Sequence, residues 1–101
     1  MVQLRHDAAY RTNLGVVNVV DMPITVDVEL YSDEGVRLGT KNIDLEGWEH
    51  QQVDGIFATV TGADVNDGYA VLRTTTRSGR FLAYASVVDN ATGDAIYIPA
   101  T

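Results

Sequence analysis

The chain contains no cysteine, only two prolines and one tryptophan, and half as many basic as acidic residues. Without cysteine there is no disulfide, no thiolate metal site and no thiol nucleophile; the compartment stays open, because many secreted bacterial domains also lack cysteine. Pro23 and Pro99 lie outside any linker-like run and no block of residues repeats, so residues 1–101 read as one domain. No run approaches the roughly 18 consecutive apolar residues of a membrane helix, and Met1-Val2-Gln3-Leu4-Arg5-His6 has no signal-peptide core. The glycines occur singly rather than as a phosphate-cradling cluster, which gives nucleotide binding no support and implies no cofactor. Seven Lys and Arg against fourteen Asp and Glu leave a formal charge of −7, which repels phosphate backbones and argues against nucleic acid as a partner.

What is present is strand pattern. Ile24-Thr25-Val26-Asp27-Val28-Glu29-Leu30 alternates apolar and polar positions with period two, so one face is expected to be buried and the other wet. The Val-rich run from Arg11 to Val20 precedes it, and Asp21-Met22-Pro23 is read as the turn of a hairpin between the two. Ser32-Asp33-Glu34-Gly35 is turn chemistry leading to a returning strand over Val36 to Leu45. The segment Glu46 to Asp67 is irregular; it is expected to be a long connection with one short strand near Gln51-Gln52-Val53 and a helical turn near Ile56.

From Tyr69 onward the pattern sharpens. Tyr69 to Arg77 and Arg80 to Val88 flank Ser78-Gly79, read as a tight hairpin, and Asp89 to Asp94 joins the latter run to Ala95-Ile96-Tyr97-Ile98. Helix is expected to be scarce, because no window carries an apolar stripe of helical period. The fold class that follows is all-β, an antiparallel two-sheet sandwich of about seven strands.

Candidate chemistry is sparse. His6 and His50 each have an acidic neighbour, but sequence neighbours on a strand point to opposite faces, and both read as solvated polar positions rather than as catalytic or metal-binding groups. Ser32 and Ser78 sit in turns, Ser86 alternates within a strand, and no nucleophile-elbow spacing surrounds any of them, so no catalytic residue is assigned. Asp64, Asn66, Asp89 and Asp94 put oxygen ligands into short loops, as calcium prefers, although neither loop matches the helix-flanked pattern and ordinary turn chemistry explains both. Asn90-Ala91-Thr92 fits a glycosylation acceptor and is equally accounted for as a turn. Core filling is the default reading of the aromatic residues; Trp48, in the irregular segment, and Tyr31, on the polar phase of its strand, are the candidates for exposed binding aromatics.

Two stretches carry a resemblance: Tyr10-Arg11-Thr12-Asn13-Leu14-Gly15-Val16-Val17-Asn18, and Ala83-Tyr84-Ala85-Ser86-Val87-Val88-Asp89-Asn90-Ala91-Thr92-Gly93-Asp94 with Ile98-Pro99-Ala100. Together they resemble an immunoglobulin-like β-sandwich module that recurs, often in tandem, in large secreted or surface proteins of soil and marine bacteria. The resemblance implies a scaffold or adhesion role outside the cell and no catalytic residues. Tandem modules of this kind begin with an extra apolar strand, whereas only Met1 to Ala9 precedes the Arg-Thr-Asn segment here. A free-standing copy is therefore expected to leave a sheet edge open for pairing, giving a homo-oligomer.

The leading expectation is a non-enzymatic interaction or structural module that binds itself, a neighbouring domain or an extracellular partner. The alternative is a carbohydrate-binding module with polysaccharide as partner, marked by Trp48 and one or more Tyr coplanar on an exposed concave face. A third reading, a small enzyme or ligand-binding protein with its site at a subunit interface, would show a deep pocket holding His6 or His50 beside carboxylates.

Overall fold

A computed structural model describes residue 1 and residues 4–99. Its eight strands are β1 (Leu4–His6), β2 (Tyr10–Asn18), β3 (Ile24–Tyr31), β4 (Arg37–Leu45), β5 (His50–Val53), β6 (Val65–Thr74), β7 (Phe81–Asp89) and β8 (Ala95–Pro99). They form two four-stranded antiparallel sheets, ordered β1-β6-β3-β4 and β5-β2-β7-β8, packed as a sandwich. The count is one above the expected seven or so, because the short N-terminal segment adds β1 beside β6. The irregular middle supplies the short strand β5 and a 3₁₀ turn at Ile56–Thr59, as its composition suggested. Ala100, the last residue of the resemblance, lies outside the described residues.

Period-two alternation builds the core. In β3 the side chains of Ile24, Val26, Val28 and Leu30 are buried while Thr25, Asp27, Glu29 and Tyr31 point outward. Ile43 and Leu45 of β4 stand beside them in the same sheet, and Thr12, Leu14, Val16 and Asn18 of β2 with Ala85 and Val87 of β7 face them from the other. The 3₁₀ turn drops Ile56 and Phe57 into one end of the sandwich as a plug.

Two expected hairpins are not hairpins. β2 and β3 lie in different sheets, and so do β6 and β7; in both places the chain arches across the core instead of returning beside itself. Asp21-Met22-Pro23 offers neither glycine nor asparagine for the positive φ angles of a two-residue hairpin loop. The buried amide of Asn18 fixes the arch: its Nδ2 donates to the carbonyls of Met22 (2.7 Å) and Glu46 (2.9 Å), and its Oδ1 accepts from the Val20 N–H (3.0 Å).

At the second arch β6 ends at Thr74, before the expected Arg77, because its threonines are used elsewhere. Thr74 Oγ1 donates to the Thr25 carbonyl (2.7 Å), and Thr76 Oγ1 accepts from the Thr25 N–H (3.1 Å). Ser78 and Gly79 do form a tight corner, with the Gly79 N–H bonded to the Thr76 carbonyl and Ser78 at φ 62, but the corner turns between sheets. The β3–β4 and β7–β8 hairpins form as read, with Gly35 (φ 80) and Gly93 (φ 79) at their left-handed positions.

Asn18→Ala removes three hydrogen bonds made by a fully buried amide, so it is expected to cost about 3 kcal/mol in urea unfolding. A loss under about 1 kcal/mol would show that water replaces the amide at little cost.

Candidate functional site

The outer face of the β5-β2-β7-β8 sheet carries the most developed surface site. Gly15 stands at its centre, and a Cβ built there would lie 2.1 Å from Cζ of Tyr84, the residue paired with it on β7. Glycine therefore lets the Tyr84 ring lie down on the sheet. The ring is pinned at its far end, where the hydroxyl meets His50 Nε2 (3.0 Å) and donates to Gln52 Oε1 (3.2 Å), both on the neighbouring β5. The His50 ring packs against Tyr84 with centroids 6.0 Å apart. On the other side Tyr97 of β8 stands opposite Ser86, its ring 6.5 Å from that of Tyr84 and tilted by 52°.

Alongside these rings runs an open trough of about 480 Å³, with Arg11, Asn13, Gln52 and Ser86 along it. Asn13 and Ser86 sit at its floor, 8% and 6% exposed. Asn13 Oδ1 is occupied by the Gly55 N–H (2.9 Å), but neither Asn13 Nδ2 nor Ser86 Oγ bonds to another group among the described residues. Arg11 is held at the rim by Asn90 Oδ1 (2.7 Å).

The residues singled out from the sequence are dispersed. Trp48 is 64% exposed, as expected, and occupies the turn between β4 and β5, where its N–H bonds to the Val20 carbonyl and its φ is 64. Tyr31 lies at the far end of β3 from that turn, about 23 Å along an eight-residue strand, and in the other sheet from the trough. It is half-buried, its ring stacked on Tyr69 at 4.8 Å. The two do not share a face.

His6 stacks on Phe57 at 6.4 Å with its Nδ1 buried and unbonded, in the opposite sheet from His50. Asp89 Oδ1 accepts the N–H groups of Ala91 and Thr92 inside its own turn, while Asp64, Asn66 and Asp94 are exposed. Among the described residues no three His, Cys, Asp or Glu side chains converge.

Tyr84, Tyr97, Asn13 and Ser86 were not singled out as a site. The clue was in β7, where Ala83, Ala85 and Val87 alternate with Tyr84, Ser86 and Val88; that pattern splits the strand into a small apolar inner phase and a mixed outer one. Sequence could not show that Gly15 lies beneath Tyr84, since that is a matter of register. No known protein-family model, curated protein or solved structure matches the chain.

A second polar cluster lies on the outer face of the other sheet. The Tyr31 hydroxyl donates to Glu29 Oε2, and Arg73 approaches Glu29 Oε1 at 3.4 Å. The Tyr31 bond, opposed by burial and assisted by Arg73 and Arg37, holds the Glu29 carboxyl below its ordinary 4.5; the same bond, then burial and the Glu29 charge, push Tyr31 above 10.0.

Depression of Glu29 gives stability that is present above pH 4.5 and lost as pH falls through the folded value. Elevation of Tyr31 gives stability present below pH 10.0 and lost as pH rises through its folded value. The stability advantage of the wild type over Glu29→Gln, measured by urea unfolding, is expected to shrink as pH is lowered through the carboxylate range. A gap that stays constant would contradict the pairing.

Proposed function

We propose that the chain is a non-enzymatic interaction module of the immunoglobulin-like kind that pairs with a second copy of itself through the open edge of β8. The resemblance adds a scaffold or adhesion role outside the cell. The two-sheet sandwich with chain crossings between sheets supports the immunoglobulin-like reading.

The observation that carries self-association is the contrast among the four edge strands. β1 is three residues long, bulged against β6, and carries Arg5 and His6. β4 carries Arg37, Lys41 and Asp44, with Lys41 on the inward phase, a device that discourages pairing. β5 is short and polar. β8 has no charged residue between Asp94 and Pro99, and its Ile96 and Tyr97 are 69% and 70% exposed. Ile96 lies on the inward phase of its strand, opposite the buried Val87, yet the facing sheet leaves it uncovered.

The hydrogen-bond phase of β8 suits self-pairing. The Asp89 N–H bonds to the Asp94 carbonyl, so by antiparallel alternation Ile96 and Ile98 bond inward to β7, and the backbone groups of Ala95 and Tyr97 point to the open edge. Pro99 falls in this outward phase, where its lack of an N–H costs the existing sheet nothing. An antiparallel twofold centred on Tyr97 would bond Tyr97 to its copy in both directions and the Ala95 N–H to the copy's Pro99 carbonyl. So short an edge buries less than the roughly 1,200 Å² of a standard stable interface, so the pairing is concentration-dependent; the charge of −7 on each chain makes it stronger at higher salt.

Light scattering over rising protein concentration is expected to show a mass climbing from monomer toward dimer. Ala95→Pro removes an outward N–H and Ile96→Lys puts charge on the edge; both are expected to hold the chain monomeric. A wild type that remains monomeric at millimolar concentration in high salt would overturn the proposal.

A further inference from the structure

The trough on the outer face of the β5-β2-β7-β8 sheet has the makings of a ligand site that self-pairing does not use, since edge pairing extends the sheet in its own plane. We infer that it binds a neutral, soluble polysaccharide chain, with the Tyr84 and Tyr97 rings as stacking surfaces and Asn13 and Ser86 as hydroxyl partners at the floor.

Tyr84 is built as a platform. One face of its ring lies against Gly15, and its hydroxyl is fixed by His50 and Gln52, so its orientation is set before any ligand arrives. Pre-ordering of this kind lowers the entropic cost of binding. The outward face of an aromatic ring is electron-rich and apolar, and the C–H face of a pyranose fits it while its hydroxyls project to the sides.

Asn13 Nδ2 and Ser86 Oγ meet those hydroxyls. Both side chains are more than nine-tenths buried, both border the trough, and both keep hydrogen-bonding capacity that no described residue uses. Both atoms open to the trough, His6 Nδ1 being the one buried side-chain polar atom left unpaired among the described residues, so they can exchange water for the hydroxyls of a polyhydroxylated occupant.

The surroundings select charge and shape. Arg11, the one cation among the described lining residues, keeps its charge against the neutral Asn90, but Asp54, which accepts from Gln52 Nε2, and Asp89 and Asp94 stand just beyond the lining, so three carboxylates outnumber one guanidinium on a chain of charge −7. Acidic sugars are repelled. The 52° tilt between the rings prevents both from lying on one flat surface, so the site takes a twisted single chain rather than a crystalline polymer face.

Affinity electrophoresis of the full chain in gels containing xylan, mixed-linkage β-glucan, galactomannan or polygalacturonate tests this, with sedimentation on crystalline cellulose alongside. Retardation by at least one neutral polymer is expected, together with none by polygalacturonate and no sedimentation with cellulose. Tyr97→Ala, at an exposed ring, is expected to weaken binding roughly tenfold, and Ser86→Ala roughly fivefold, with unfolding curves near wild type. The Ile96→Lys chain, altered on the inward phase of β8 away from the trough, is expected to bind like wild type, which separates this site from self-pairing. Failure of all three neutral polymers to retard the chain would overturn the inference, as would binding confined to polygalacturonate or cellulose, or retardation that both trough variants leave unchanged.

Discussion

The side-chain amide of Asn18 is the polar contact on which the architecture turns. It is fully buried, yet both of its atoms are used, tying the end of β2 to the arch leading into β3 and to the turn between β4 and β5. A buried amide is tolerated only when it is satisfied, and here the partners are backbone groups of the arch and of the β4–β5 turn, two segments that the bond from the Trp48 N–H to the Val20 carbonyl also joins. The contact decides that the chain leaving β2 crosses to the other sheet. β3 can then pair between β4 and β6, while β2 keeps both edges free for β5 and β7.

That freedom positions the proposed site. Because β2 is an inner strand, Gly15 has a neighbour on each side: β7 supplies the ring that lies over it, and β5 supplies the groups that hold the ring's hydroxyl. The trough and the open edge belong to the same sheet but use different faces of β8. Tyr97 projects outward over the trough, Ile96 projects toward the uncovered underside, and the Ala95 and Tyr97 backbone groups point along the plane. One short uncharged strand thus serves two separable kinds of contact.

The inward phase was legible in the sequence wherever alternation was strict. Ile24 to Leu30 declares its buried side without ambiguity, and Gly35 and Gly93 mark the two hairpins that form. What alternation does not encode is whether a strand returns beside its predecessor or above it, since both arrangements bury the same residues. The β2–β3 and β6–β7 arches are settled instead by particular side chains, Asn18 at one and Thr74 and Thr76 at the other, whose partners lie far along the chain or in another strand. The trough was illegible for a related reason. Tyr84, Gly15, Asn13 and Ser86 come together only through the register of β2 against β7, and as isolated letters nothing ties them to one another.

Amide hydrogen exchange at single-residue resolution, recorded at low and high protein concentration, bears most directly on the claim that β8 is the working edge. The Ala95 and Tyr97 N–H groups are the outward donors of that strand, whereas those of Ile96 and Ile98 are engaged with β7. Ala95 and Tyr97 are expected to exchange freely in dilute solution and to gain protection on concentration, with Ile96 and Ile98 protected throughout. If Ala95 and Tyr97 exchange equally fast at every concentration while another edge strand gains protection, the chain associates elsewhere and the account of β8 is wrong.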